Sequence, residues 1–431
     1  MLLLLLTVAL SVEVNVMLPL DVVGSSGLTN SAQLKNDFTK LKSGGVAGVM
    51  TDVWWGLVET SAKSYNWAGY TDMAKLAKDA GLKLQVVMSF HKCGGNVGDT
   101  CNIPIPSWAR SSSSAAFKDP QGNTNDEYIS FGADSLAVFG GRTPLQIYKD
   151  FMSAFKTKFA SYISDGTINE VQVGMGPCGE TRYPAYPLSR WTYCGVGEFQ
   201  YSDSNSLSQL QSAATAAGHS EWGKASPPNA GTYNSKPPSS TGFFGSGSDN
   251  YKSEYGKFFL NWYHQQLIKH AENILSSAKS VFGSLAIAGK VAGIHWWYND
   301  NSHAAELTAG YYNTNSQDAY SNIAKAFKKY GARFDFTCLE MTGTDSNCGS
   351  TPANLVNQAY TAAGSAGAVK CGENALELCG YGGCNTSGFN QIVSQAKKYG
   401  LTAFTYLRLT RALLDDGTAW SQFKSFVNNM K

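Results

Sequence analysis

The chain has 431 residues, enough for a large core, and a formal charge of only +2 with 15% charged residues. No Lys/Arg block is present, which argues against a nucleic-acid partner, and no segment reaches the length of a membrane span. The 22 Tyr, 21 Phe and 10 Trp are mostly core material, although any left exposed in a cleft suit stacking on sugar faces.

Residues 1–10 form a leucine-rich run with Ala9-x-Ser11 as a small-residue cleavage site. Without a positive n-region, the run still reads as a secretory signal over residues 1–12, leaving 13–431 as a single domain that is secreted or luminal. Nine cysteines fit that compartment. Cys93 and Cys101 bracket a Gly-rich loop, and Cys371, Cys379 and Cys384 crowd another, with Cys348 upstream. Disulfides of undetermined pairing are expected. Zinc is the rival, but no CxxC pair or close Cys/His cluster is present. The odd count leaves at least one free thiol, with Cys338 the foremost candidate. No metal or other cofactor is expected.

In chain order, a short apolar run at 12–20 precedes helical periodicity at 32–42, which closes at Gly44-Gly45. A strand at 46–53 leads to a helix at 70–80 with Gly81 at its C-cap, then to a strand at 82–89. The pattern recurs as helix 144–163 and strand 168–173, helix 255–278 and strand 285–290, and helix 318–329 and strand 334–339. Helix 353–363 with strand 367–372, helix 389–398 with strand 401–407, and a last helix at 420–428 complete the chain. Strict alternation implies a parallel sheet. Eight repeats predict an α/β (β/α)8 TIM barrel with long loops after the third and fourth strands, at about 91–142 and 174–250. A doubly wound sheet is the alternative. The second insertion, rich in Pro, Gly and Ser (Ser226-Pro227-Pro228, Lys236-Pro237-Pro238), reads as ordered loop.

In a barrel, residues just past the strand C-termini face one pocket. Here they are Asp52, His91, Glu180, Lys290 with His295, Thr337 with Glu340, Glu373 with Asn374, and Arg408. Such a set of hydrogen-bonding arms suits a polyhydroxylated ligand. Gly174-x-Gly176-x-x-Gly179 spells a dinucleotide fingerprint, but Pro184 and Pro187 block the helix that fingerprint needs. Glu180 and Glu373 each follow a glycine, which permits close packing or an unusual backbone angle. Two carboxylates flanking a glycosidic bond are the usual apparatus of sugar hydrolysis. Glu59, Asp335 and Glu340 compete for those roles.

Several stretches together resemble the β-amylases. They are Phe90-His91-Lys92-Cys93-Gly94-Gly95-Asn96-Val97-Gly98-Asp99, Gly176-Pro177-Cys178-Gly179-Glu180-Thr181-Arg182-Tyr183-Pro184, Gly293-Ile294-His295-Trp296-Trp297-Tyr298, Phe336-Thr337-Cys338-Leu339-Glu340-Met341 and Gly372-Glu373-Asn374-Ala375-Leu376. The resemblance runs in order from about residue 13 to the C-terminus. It implies release of β-maltose from the non-reducing ends of 1,4-α-glucans with inversion. Glu180 is then the general acid and Glu373 the general base. Asp52, His91, Asp99, Lys290, His295, Asn374, Ala375 and Arg408 are then sugar-binding positions, and Thr337 supports the acid from an inner loop. Residues 94–99 fit a lid whose base a Cys93–Cys101 disulfide would pin. Cys178 stands where a small residue such as Ala is usual, and Thr342-Gly343-Thr344-Asp345 departs from the usual charged continuation. The expected partner is a 1,4-α-glucan (starch, glycogen or maltodextrin), bound by a monomer. A glucan sensor without turnover and a retaining glycosidase are the alternatives.

Overall fold

A computed structural model describes residues 11–110, 112–224, 227 and 229–431. The leader-like run at 1–10, and Ser226 and Pro228 of the proline-rich stretch, lie outside the described residues.

Eight parallel strands close on themselves: β1 (Glu13–Met17), β2 (Gly48–Trp54), β3 (Lys83–Ser89), β4 (Ile168–Val173), β5 (Ala286–Val291), β6 (Ala332–Phe336), β7 (Lys370–Glu373) and β8 (Ala403–Tyr406). Each strand pairs with its sequence neighbours, and β1 pairs with both β2 and β8, so the doubly wound alternative is excluded. One principal helix follows each strand: α1 (Ser31–Ser43), α2 (Ala68–Asp79), α3 (Pro144–Lys158), α4 (Glu254–Phe282), α5 (Ala319–Tyr330), α6 (Pro352–Ser365), α7 (Thr386–Tyr399) and α8 (Gly417–Asn429).

Local chemistry sets the boundaries. At the start of α3, Thr143 Oγ1 accepts from Gln146 N at 3.1 Å while Gln146 Oε1 accepts from Thr143 N at 2.8 Å. Pro144 then occupies a first-turn position where no N–H is needed. On β4 the alternation separates two environments. Val171 and Val173 join the main apolar core, and Glu170 and Gln172 point the opposite way, into the barrel lumen.

The lumen is correspondingly polar. Glu170 accepts from Gln85 Nε2 at 3.1 Å and from Arg333 Nη1 at 2.7 Å, and Gln172 donates to Asp335. Burial pushes the Glu170 carboxyl up to about 7 against the pull of Arg333. Met17, Met50 and Val87, with Leu407 against them, form a small apolar cluster separate from the main core.

Both insertions leave strand C-termini, as the sequence predicts. The second is not all loop, however, because it contains a helix at Ser204–Ala216. Asp203 caps this helix by accepting from Asn205 N at 3.1 Å and Ser206 N at 3.0 Å, and Leu210 and Ala214 are buried on one face. Its abundance of Ser, Asn and Gln dilutes the apolar stripe that would have revealed it.

Cysteine pairing is Cys93–Cys101, Cys194–Cys348 and Cys379–Cys384, leaving Cys178, Cys338 and Cys371 as thiols.

The two glycines that precede the candidate carboxylates serve different ends. Gly179 has φ +74°, a left-handed angle that side chains resist. Gly372 makes room instead, since a Cβ there would lie 2.5 Å from Tyr360 Oη and 2.8 Å from Leu339 Cδ2. Gly372→Ala should therefore cost about 1–3 kcal/mol through overpacking. Equilibrium denaturant unfolding checks this, and an unchanged midpoint would refute the close-packing account.

Candidate active site

The strand ends deliver their side chains to one mouth. Asp52, near the end of β2, accepts from Ser89 Oγ at 2.6 Å. Burial raises its pKa, opposed by that hydrogen bond and by the charges of Lys290 and Arg408. His91, two residues beyond β3, packs edge-on to Trp54 with ring centroids 5.1 Å apart, and its buried Nδ1 has no protein partner. Burial, reinforced by Lys290 and Arg182, lowers the His91 pKa to about 3.

Lys290 is the hub. Its backbone pairs with Glu180, and its carbonyl accepts from Thr181 N at 2.9 Å. Its Nζ lies 2.9 Å from Glu373 Oε1 at the end of β7. Burial pulls the Lys290 ammonium down, but Glu373, Asp335 and Asp52 together outweigh it and hold its pKa above the ordinary value. One residue thus touches the segment bearing Glu180 and the carboxylate of Glu373.

After β4 the chain makes a single 3-10 turn over Pro177–Gly179 and is extended at Glu180, with φ −82° and ψ 151°. Extended residues two apart share a side, so Arg182 reaches back to Glu180, with Nε 2.6 Å from Oε2. The Glu180 side chain retains 21% exposure and that of Arg182 6%. The role of Arg182 was not read from the sequence, although its two-residue spacing from Glu180 carried the signal. The same guanidinium donates to Cys178 Sγ at 3.6 Å. Cys178 has φ 56°, and burial pushes its thiol well above the ordinary range.

The remaining expected positions divide into two groups. Asp99, in the loop closed by Cys93–Cys101, accepts from Gly94 N at 2.8 Å and Asn96 N at 3.1 Å, so its carboxylate braces its own loop. Arg408 donates to Leu18 O at 3.3 Å. His295 is half-buried, its Nδ1 2.7 Å from Ser350 Oγ, and burial lowers its pKa to about 4. Thr337 immediately follows β6.

Asn374 is buried, and its amide is used internally. Oδ1 accepts from Leu407 N at 2.8 Å and Nδ2 donates to Leu376 O at 2.9 Å. Asn374 therefore ties the loop after β7 to the end of β8. The exposed Ala375 contributes its N–H to Glu340 Oε1 at 2.9 Å. That contact, with a second from Leu376 N at 2.6 Å, gives Glu340 a loop-anchoring place. Asp335 sits in the lumen with Gln172, and Glu59 is sequestered by Trp55 Nε1 at 2.8 Å and Lys63 N at 2.7 Å. The competing carboxylates are thus all engaged elsewhere.

A closed (β/α)8 barrel whose strand ends gather carboxylates, cations and histidines in one mouth has the layout of a barrel enzyme. Comparison with known proteins makes the class specific. The sequence profile of glycosyl hydrolase family 14 matches residues 15–431. The chain is 46% identical to beta-amylase 1, chloroplastic, of Oryza sativa subsp. japonica, over 97% of this chain and 80% of that protein. It is 43% identical to beta-amylase 5 of Arabidopsis thaliana, over 97% and 86%. The solved catalytic domain of a β-amylase from Paenibacillus polymyxa superposes with TM-score 0.81 at 32% identity, covering 98% of this chain and 99% of that one. The chain therefore belongs to glycosyl hydrolase family 14 and is a hydrolase of the β-amylase family. Among the described residues, no helix is long and apolar enough to cross a membrane.

Two imidazoles of the mouth, buried His91 and half-buried His295, each make a predictable contribution to acid stability. Unfolded, each takes up a proton below its ordinary value of 6.5, but folded they stay neutral down to about 3 (His91) and about 4 (His295). The unfolded chain then binds more protons, so their contribution to stability is lost as pH falls from about 6.5 towards 4. His295→Gln should flatten that slope, as measured by denaturation midpoints between pH 4 and 7. An unaltered slope would rule out the burial account.

Proposed function

We propose that residues 13–431 act as one catalytic unit that hydrolyses 1,4-α-glucans from their non-reducing ends, releasing β-maltose with inversion. The observation that carries this reading is the position of Lys290, which pairs with Glu180 through its backbone and meets Glu373 Oε1 at 2.9 Å through its ammonium. A single residue that touches both the Glu180 segment and the Glu373 carboxylate supports their acting as an inverting pair, which needs roughly 6.5–9.5 Å between carboxyl groups to admit a water.

In this mechanism Arg182 Nε holds Glu180 Oε2, leaving Oε1 to deliver a proton to the glycosidic oxygen as the bond to C1 breaks. Glu373, oriented by Lys290, takes a proton from a water that attacks C1 on the opposite face. Asp52, His91, Lys290 and Arg408 bind sugar hydroxyls. The unpartnered Nδ1 of a neutral His91 suits that task. Asp99 exchanges its bonds to Gly94 and Asn96 for a sugar hydroxyl when the loop closes. Thr337 supports Glu180 after proton transfer. Asn374 and Ala375 shape the loop after Glu373, and His295 contacts glucose units further out.

Starch, glycogen or maltodextrin fits as substrate, and the protein acts as a monomer. The three disulfides suit an oxidising compartment reached by a secretory route. Some relatives are named chloroplastic, and fractionation of the source cells distinguishes the two destinations.

Glu180→Gln and Glu373→Gln should each lower kcat for maltose release from soluble starch by about 10²–10⁴-fold or more. Fresh product should be the β anomer by NMR. Release no higher than background by wild type and both variants alike would leave only a sugar-binding sensor, and predominantly α product would replace inversion with retention.

A further inference from the structure

The loops that hold His295 are bound together by a cross-link for which the proposed mechanism has no use. Cys194, in the insertion after β4, is bonded to Cys348, in the loop after β6, across a sequence separation of 154. The loop after β5 runs between them. Trp297 donates its Nε1 to Cys194 O and its backbone N to Cys348 O, both at 2.6 Å, and Trp296 Nε1 donates to Gly195 O at 2.9 Å. Three loops from three strand ends are thereby locked into one block.

The residues flanking the two cysteines reach the mouth. Tyr193, immediately before Cys194, is 51% exposed, an unusual state for so large a ring, and its centroid lies 6.1 Å from His295 and 5.9 Å from Trp296. Ser350, two residues after Cys348, holds His295 Nδ1 at 2.7 Å. His295 therefore sits between an aromatic face supplied by one side of the cross-link and a hydroxyl supplied by the other. No covalent link of this kind joins the Lys290–Glu373 pair or the Glu180–Arg182 pair to the block.

We propose that the Cys194–Cys348 disulfide is a positioning element for the outer part of the glucan. It holds Tyr193, Ser350 and His295 as a preformed surface, and so sets affinity for longer chains while leaving the bond-breaking step alone. The inference rests on the glucan reading of His295. The physical reason is preorganisation: without the bond, two long loops must be ordered at each binding event, and that cost falls on the substrates that use the surface.

The test is steady-state kinetics on maltotetraose and maltoheptaose with wild type and the double variant Cys194→Ser/Cys348→Ser. Cys379→Ser/Cys384→Ser serves as a control for loss of a disulfide elsewhere. Ordering a few side chains on binding predicts a KM for maltoheptaose raised about three- to ten-fold in the first variant. The rise for maltotetraose should be smaller, kcat should stay within about two-fold, and the control should match wild type. If the double variant does not fold, wild type is treated with a small dithiol, which passes two electrons and two protons to the S–S bond, giving two thiols and its own cyclic disulfide. Alkylation mapping then identifies molecules open at Cys194 and Cys348 for the same kinetics. A KM that ignores the open bond, or an equal loss of kcat on both substrates, overturns the inference while maltose release keeps the glucan reading intact. A wild-type enzyme that releases no maltose from either substrate removes the reading on which the inference rests.

Discussion

A buried ammonium needs anions around it, and the site is built on that requirement. Lys290 is largely withdrawn from water, with 12% side-chain exposure, a placement that uncompensated would be costly. It is stabilised by Glu373 from β7, with Asp335 of β6 and Asp52 of β2 adding to the attraction. Four strands are thus coupled through one charge. Asp335 shows the other side of the arrangement: burial, then the neighbouring Glu373, push its carboxyl well above the ordinary range while Lys290 pulls it back.

Below that hub, the lumen continues as polar pairs rather than a hydrocarbon plug. Glu170 with Arg333 and Gln85, and Gln172 Nε2 with Asp335 Oδ2, pair across strands distant in sequence, while Gln172 Oε1 and Asp335 Oδ1 are buried without a partner among the described residues. Such networks are favourable only when their members find partners. The strand register is therefore tied to the electrostatics of the mouth, since a one-residue slip in β4 would send Glu170 and Gln172 into the helix layer.

Around the mouth, rigid and adjustable parts are segregated. Glu373 and Lys290 sit on strands, and Glu180 follows a tight turn that Arg182 braces from two residues away. Asp99 lies instead on a loop closed by Cys93–Cys101, where its carboxylate holds two backbone N–H groups that a ligand could displace. On the proposed mechanism, an acid–base pair fixed on strand ends beside a loop-borne binding arm would suit chemistry that must admit a chain end, enclose it and release a product.

The order of strands and helices was legible in the sequence because hydrophobic periodicity and terminal Gly and Pro signals are local, and the barrel follows from eight repeats with insertions at strand ends. Glu180 and Glu373 were legible because each follows a glycine at a strand end. The helix at Ser204–Ala216 was not, because its polar residues conceal a narrow buried face. The use of Asn374 to tie two loops, the anchoring of Ala375 by Glu340 and the Cys194–Cys348 and Cys379–Cys384 pairings were also out of reach, whereas Cys93–Cys101, eight residues apart around a Gly-rich loop, was anticipated. By itself, the sequence determined which residues arrive at the mouth, since that depends only on position along each strand. Only the tertiary structure decided that Lys290 meets Glu373 and Cys194 meets Cys348. Those pairings depend on how strands and loops far apart in the chain converge, a property of barrel closure that no local pattern encodes.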